Sequence, residues 1–341
     1  MILDGHARQA IDECAAMLRA GEIVAFPTET VYGLGADAGS DSAVAKIFAA
    51  KGRPVNHPLI VHVDGEQQGL AGVAHFADRV PAHAQDLMRI FWPGPLTLIL
   101  PRRAGVGSAA AGGQASIGLR CPQHSVAQAL LRACRALGVM GLAAPSANQF
   151  GRVSPTTAVH VQAEFGDHLT ILDGGPCSVG VESTIVDCSR ALPVLLRPGA
   201  ITPAQLQAAC GCKVLTAEES AGLAGAAPRA SGTLLAHYAP KARVRLMDAR
   251  ALQTALNVLG TDIDQGASVI AVYARTPLRS RSRTVVQRRM PNDAAGAARE
   301  LFATLREFDA QGVKLIWVET PPATPDWDAV RDRLQRASAA G

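Results

Sequence analysis

The stretch EIVAFPTETVYGLGADA (22–38) decides the fold class. EIVAFP (22–27) is a short apolar run and reads as a buried strand. Gly33-Leu34-Gly35-Ala36-Asp37-Ala38 matches G-x-G-x-x-A. That pattern marks a dinucleotide-binding parallel sheet only where it follows its strand directly. Here polar Thr28, Glu29 and Thr30 intervene, so the motif does not argue for a doubly wound first domain. Two local readings stay open. Hydroxyls at the end of a strand suit hydrogen bonds to a ligand. Alternatively, 33–38 is a tight turn needing positive φ, with Thr28 and Thr30 capping backbone.

Outward from this stretch, residues 7–20 read as a helix with Ile11, Cys14, Ala15 and Leu18 on one face and Gly21 as its stop. Asp41 is the expected N-cap of a helix that turns Val44, Ile47 and Phe48 inward. PLIVHV (58–63), LTLILP (96–101), ASIGLR (115–120), TIVDC (184–188) and PVLLRP (193–198) read as strands. Helices are expected over 82–91, 124–137, 155–165 and 203–210. Many short strands without strict strand–helix alternation predict an α/β domain on a mixed sheet, over 1–205. Residues 206–240 lose periodicity and read as a linker. Alternation then returns over 241–341: RVRLMD (243–248), a helix over 249–260, ASVIAVY (267–273), a helix over 292–309, KLIWVE (314–319) and a helix over 326–338. That pattern predicts a small parallel α/β domain.

Composition excludes several classes. In 341 residues, 48% are hydrophobic, which rules out wholesale disorder. Aromatics are only 4%, which argues against a stacking platform for single-stranded nucleic acid. A net charge of +4 permits an anionic ligand or RNA without requiring one. Seven scattered cysteines do not suggest a disulfide framework and fit a reducing cytoplasm. Cys210-Gly211-Cys212 lacks a second ligand pair at zinc spacing, so its cysteines read as small apolar residues. The N-terminus has no secretory pattern, and no run is long enough to span a membrane.

The chemistry-bearing positions sit at element ends. Lys51 and Arg53 follow a helix and can grip phosphate as point charge and fork, with His57 just beyond. Lys51 also suits the helix's negative C-terminus. His62 alternates with apolar residues in its strand and alone reads as a core histidine. Arg120 ends an apolar strand, where it can hold a carboxylate bidentately or stand exposed. In GLAAPSANQFGRVSPT (141–156), small residues allow close approach and Ser146 and Asn148 offer polar groups. The plainer reading is an Asn/Ser turn with Ser154 capping the next helix. Glu182, Ser183 and Thr184 precede one strand, and Arg197 ends another. The set suits a phosphate-bearing nucleotide plus a small carboxylate-bearing molecule. The Walker A pattern and the G-x-S-x-G elbow are absent.

PTETVYGLG, AKGRP with PLIVHV, FWPGPLT (91–97), APSAN and ESTIVD, in this order, resemble the YrdC/Sua5 family over about residues 8–205. SGTLLAHYAP (231–240) resembles the linker that precedes a Rossmann-like domain in the longer, Sua5-type members. The resemblance implies a twisted mixed-sheet YrdC-like domain (1–205), a linker that acts as a lid over the active site (206–240) and a C-terminal domain (241–341). It implies L-threonylcarbamoyladenylate synthase, a nucleotidyltransferase. Its substrates would be L-threonine, bicarbonate and ATP with Mg²⁺. The product would pass to the tRNA threonylcarbamoyl transferase machinery that modifies adenosine 37 of tRNAs reading ANN codons. Carried onto this chain, the threonine site would be Thr30, His62, Arg120, Ala144 and Ser183. The ATP site would be Lys51, Arg53, His57, Ser116, Ser146, Asn148, Ser154, Arg197, His237 and Tyr238. Lys51, Arg53 and Arg120 would carry the catalytic role. Thr233, Leu234, Leu235 and Ala236 stand where the family linker usually has M-K-Y-R, and TPDWDAVRDRL (324–334) replaces a glycine-rich turn.

No side-chain nucleophile is evident, so catalysis would rest on proximity and charge neutralisation. Two other classes remain. An RNA-binding module without turnover would use Arg275, Arg279, Arg281, Arg283, Arg288 and Arg289, a run that otherwise marks a solvated loop. A dehydrogenase built on GLGADA would bind NAD(H).

Overall fold

The computed structural model describes residues 1–220, 228–260 and 270–340. The chain forms two compact units. The first is Met1–Phe150 with Ser154–Thr233, and the second is Gly151–Val153 with Leu234–Gly341. The expected linker therefore divides at 233/234, and the helix Pro203–Cys210 belongs to the first unit.

The first unit holds strands β1 (Ile2–Asp4), β2 (Val24–Phe26), β3 (Gly33–Asp37), β4 (Ile60–His62), β5 (Leu96–Pro101), β6 (Ser116–Arg120), β7 (Leu142–Ala143), β8 (Thr170–Asp173), β9 (Thr184–Asp187), β10 (Val194–Arg197) and β11 (Leu215–Thr216). Its helices are α1 (Arg8–Arg19), α2 (Asp41–Lys51), α3 (Leu70–Phe76), α4 (Ala82–Phe91), α5 (Ser125–Ala136), α6 (Ala158–Phe165), α7 (Pro203–Cys210) and α8 (Ala217–Ser220). The strands join one mixed sheet in the order β1-β8-β2-β3-β7-β4-β6-β5-β9-β10-β11.

Both faces of this sheet are covered, because side chains alternate along each strand. Val24, Phe26, Leu142, Ala144 and Leu172 pack with Ile11 and Leu18 of α1 and Leu130 and Cys134 of α5. Ala25, Leu34, Ala36, Ala143 and Ile171 point the other way, to Val44 and Ile47 of α2 and Leu87 of α4. Burying a Leu, Ile or Phe side chain of this kind contributes roughly 1.5–3 kcal/mol each.

Three local expectations change. GLGADA is not a turn: residues 33–37 are β3, antiparallel to β2. Its glycines serve close approach, since a Cβ on Gly35 would lie 2.8 Å from Phe26 Cε1. Asp41 is not the cap of α2; Ser40 is, accepting from Ala43 N. The helix expected over 155–165 begins only at Ala158, capped by Thr157 rather than Ser154. The reason is that Ser154 turns its hydroxyl to Glu182. Strands β1 and β8 and the short α3 carry no legible signal in the sequence, because each is brief and lacks a period of its own.

The second unit contains β12 (Arg243–Met247), α9 (Ala249–Leu259), β13 (Ile270–Ala274), β14 (Val286–Arg289), α10 (Ala294–Ala310), β15 (Leu315–Glu319) and α11 (Asp328–Ser338). Its sheet has the order β12-β15-β13-β14, and all three pairings are parallel. Residues 267–269 of the expected strand 267–273 lie outside the described residues. Asp248 and Asp293 cap α9 and α10 by accepting from Ala251 N and Gly296 N, both at 2.7 Å.

Candidate active site

Strand pairing in the first unit gathers polar side chains that are far apart in sequence. His62 of β4 pairs with Arg120 of β6, and Thr97 of β5 pairs with the same Arg120. Directly opposed residues lie on one face of a sheet, so His62, Thr97 and Arg120 share a side. All three are buried, as are Thr28, Glu29, Thr30, Ser183 and Arg197. So many buried polar groups at strand ends need partners, because an unpaired one costs about 1–3 kcal/mol.

Those partners form a connected run. Arg120 donates from Nη1 to Thr30 Oγ1 at 2.8 Å and from Nε to Gly94 O at 3.4 Å. The Oγ1 atoms of Thr28 and Thr30 lie 2.9 Å apart, and Thr28 also ties down the turn by donating to Val31 O. Glu29 stands 2.8 Å from Arg120 Nη2 as a buried ion pair. Among the described residues, neither Glu29 oxygen receives an aligned hydrogen bond. Thr97 Oγ1 and Ser183 Oγ lie 2.8 Å apart. Arg197 donates to Ser183 O at 3.0 Å and to Ser183 Oγ at 3.1 Å.

Arg197 also reaches Ser231 O at 2.9 Å, and Arg53 reaches Ser231 Oγ at 3.2 Å and Pro58 O at 3.0 Å. Ser231 thus sits between two guanidinium groups, its oxygens presented to both. Gln114 fixes the same segment, accepting from Arg229 N at 2.7 Å and donating to Arg229 O at 3.2 Å. Arg229, Ala230 and Ser231 form one wall of a narrow cleft, lined also by Pro58, Thr97, Ser116 and Gly118.

Lys51 ends α2 and is buried. Its Nζ donates to Ser146 O at 2.7 Å and to Asn148 O. Burial, with Arg53 nearby, holds its ammonium well below the usual lysine range. Lys51 therefore braces the Ser146–Asn148 loop, which also bridges to Gly33 of β3. Burial lowers His62 to about 3, with Arg120 adding to the effect, so its imidazole is neutral. Among the described residues its Nδ1 has no hydrogen-bond partner, and its ring meets Phe26 edge-on at 5.9 Å. His57 is also lowered, by burial and by Arg53 and Arg229. Ala144 sits just past β7, its N–H donating to Ile60 O of β4.

The structure thus joins Thr30, Arg120, Ser183, Arg197 and Arg53 through hydrogen bonds and strand pairing, with His62 and Thr97 on the register that links them. His237 and Tyr238 belong to the second unit, where Tyr238 packs 5.5 Å from the Phe302 ring and 5.3 Å below the Arg333 guanidinium. Thr97, Gln114 and Ser231 join the site without being among the expected residues, and Glu29 and Glu182, expected only as polar residues at element ends, join it with them. Thr97 carried a signal, a single hydroxyl inside the apolar run LTLILP. Ser231 carried none, because its importance lies in two arginines far along the chain. Among the described residues no cluster of three or more His, Cys, Asp or Glu side chains is arranged for a metal ion, and no helix is long and apolar enough to cross a membrane.

The Sua5/YciO/YrdC model, described as "Telomere recombination", matches residues 16–199. The model described as "Threonylcarbamoyl-AMP synthase, C-terminal domain" matches 201–339. The chain belongs to the Sua5/YrdC family. It is 37% identical to the threonylcarbamoyl-AMP synthase of Bacillus subtilis, over 96% of this chain and 92% of that one. It is 35% identical to the threonylcarbamoyl-AMP synthase of Pyrococcus abyssi, over 98% and 96%. The solved structure of P. abyssi Sua5 complexed with L-threonine superposes with a TM-score of 0.84 at 34% identity, covering 98% of this chain and 95% of that one. As a Sua5/YrdC member the chain has the expected α/β architecture, a large mixed sheet and a separate parallel four-stranded sheet.

Proposed function

We propose that this chain is an L-threonylcarbamoyladenylate synthase. It condenses L-threonine, bicarbonate and ATP to threonylcarbamoyl-AMP and pyrophosphate, and the product serves adenosine 37 of tRNAs reading ANN codons through a downstream transferase. The observation that carries this reading is the single run of buried groups from Thr30 and Arg120 to Arg197 and Arg53. One end offers a guanidinium and a hydroxyl, which suit an amino acid. The other offers two guanidiniums, which suit phosphates.

In this reading Arg120 takes the threonine carboxylate, and Glu29 holds Arg120 in place. Thr30, neutral His62, Ala144 and Ser183 surround the remainder of the amino acid. The amine, once unprotonated, bonds to the carbon of bicarbonate and water leaves. A carbamate oxygen then bonds to the α-phosphorus of ATP, and the bond to the β-phosphate oxygen breaks to release pyrophosphate. Arg53 and Arg197 offset the phosphate charge. His57, Ser116, Ser146, Asn148 and Ser154 line the nucleotide side, and Lys51 shapes their loop. Mg²⁺ would be held through the ATP phosphates rather than by protein side chains and would offset their charge, as it commonly does on nucleotide substrates. Positioning of this kind supplies about 7–11 kcal/mol in well-oriented reactions, so no protein nucleophile is required.

Ser231 occupies both guanidinium groups, taking Arg197 at its carbonyl oxygen and Arg53 at its hydroxyl. The segment at Ser231 must therefore withdraw for ATP phosphates to reach them, and its oxygens mark where phosphate oxygens would lie. That gives the expected lid a physical basis. The test is pyrophosphate release with threonine and bicarbonate each omitted in turn. Dependence on both supports the synthase; release that ignores either one sinks it. The RNA-binding alternative gains little support, because Arg275 is committed to Glu319 and Arg288 lies near Glu300 and Glu307.

A further inference from the structure

Seven cysteines are free, and five of them, Cys14, Cys121, Cys134, Cys177 and Cys188, are buried. Burial pushes Cys14 and Cys121 up to about 12. Such thiols are small apolar groups and chemically quiet. Cys210 and Cys212 differ. Both are half-buried, and their sulfurs stand 3.4 Å apart, with Cys212 donating its S–H to Cys210. The cause is local. Gly211 ends α7 in the left-handed conformation, at φ 64°, and nothing lies within 4 Å of the position a Cβ would take there. That turn brings the two flanking side chains to one side of the chain. Two ordinary small apolar residues would not need this pairing of sulfurs.

We propose that Cys210 and Cys212 are a redox-modification site, a dithiol that a small-molecule disulfide of the glutathione type converts reversibly to an intrachain disulfide. The bond needs the sulfurs to close by about 1.4 Å, from 3.4 Å to a disulfide's roughly 2.05 Å. Side-chain rotation at the end of an exposed helix can supply this. Cys210 is the attacking sulfur, because it accepts the hydrogen bond from Cys212. Its thiolate attacks one sulfur of the oxidant, forming a mixed disulfide and releasing one small thiolate. Cys212 then loses its proton and attacks Cys210 Sγ, expelling the second small thiolate. Two protein thiols are oxidised and one small disulfide is reduced to two thiols. Burial, helped by the Cys210 contact and by Asp86, raises Cys212 to about 11. Lys213 offers the pair little relief, since its ammonium is held by Glu219 at 2.7 Å. The reaction should accordingly quicken as pH rises. Cys188 lies near the pair, with Asp187 beside it, and is the competing thiol.

The test treats the full-length protein with oxidised glutathione at mildly alkaline pH. Acid quenching, denaturation, alkylation and peptide mass analysis follow. The expected result is a peptide spanning both cysteines that is two hydrogen masses lighter and unalkylated, with dithiothreitol restoring two alkyl groups. Cys212→Ser should trap glutathione on Cys210, whereas Cys210→Ser should trap far less on Cys212. The proposal is overturned if both cysteines of the wild type stay fully alkylated, if either links to Cys188 instead, or if the two single variants trap glutathione equally.

Discussion

Each unit sets an arginine against a buried glutamate near the ends of its strands, and the two pairs are built differently. In the second unit, Glu319 at the end of β15 accepts from Arg275 N and Thr276 N, both at 2.7 Å. It also accepts from Arg275 Nη2 at 2.9 Å and Thr276 Oγ1 at 3.1 Å. Both its oxygens are satisfied by the loop after β13. In the first unit, Glu29 is as deeply buried and stands beside the Arg120 guanidinium, with no aligned hydrogen bond to its oxygens among the described residues. A saturated carboxylate locks its loop and has nothing left for a ligand. A carboxylate left with open lone pairs beside a buried cation costs stability, and such a cost is carried at sites that bind something.

That contrast can be broken at several points. The largest effect should come from Arg120→Ala. It removes the cation of the open pair and should cut threonine-dependent pyrophosphate release at least about a hundredfold, by analogy with loss of a charge-stabilising donor. ATP binding, measured by calorimetry, should largely survive, and undiminished turnover would remove Arg120 from the mechanism. Stability should fall too, by about 3–5 kcal/mol, as Glu29 is left uncompensated. Arg53→Ala should weaken ATP about tenfold or more, as loss of a charge-assisted hydrogen-bonding group of about 1.5–3 kcal/mol implies. The same change should leave threonine affinity near wild type.

Glu319→Ala and Glu29→Gln test the comparison directly. Glu319→Ala should lower the melting temperature, because it strands two backbone N–H groups at about 1–3 kcal/mol each. It should not raise KM for threonine. Glu29→Gln should raise KM for threonine several-fold, beyond the loss of melting temperature that follows from leaving buried Arg120 uncompensated. If both variants shift only the melting temperature, the open pair is structural as well.

A smaller effect concerns acid. His62 titrates at about 3 in the folded protein, against 6.5 for an ordinary histidine. Below 6.5 the unfolded chain takes up a proton that the folded chain refuses until about 3. Its contribution therefore lowers stability progressively as pH falls through that window and is constant above it. His62→Gln should flatten this part of the stability–pH curve, as read by urea denaturation at stepped pH. An unchanged slope would contradict the assignment of neutral buried His62.

Much of the architecture was written locally. LTLILP and the helices at 82–91 and 203–210 fall where their patterns place them, because alternation, helical period, Gly stops and Pro starts act within a few residues. The chemistry-bearing residue types were legible for the same reason: Arg120 and Arg197 end apolar strands, where a charge has no business unless it is paired. GLGADA misled, since a glycine pair that serves close approach to Phe26 looks the same in sequence as one that makes a turn.

What tertiary structure alone decided is who meets whom. The pairing of β5 with β6 and β9 brings Thr97 beside Arg120 and Ser183, and the return of the chain at Ser231 sets it between Arg53 and Arg197. Those partners are separated by tens to well over a hundred residues, and no periodic signal reaches that far. Sequence fixes which side chains are worth burying. The register of a mixed sheet, set by the packing of its two covered faces, fixes which of them share a hollow.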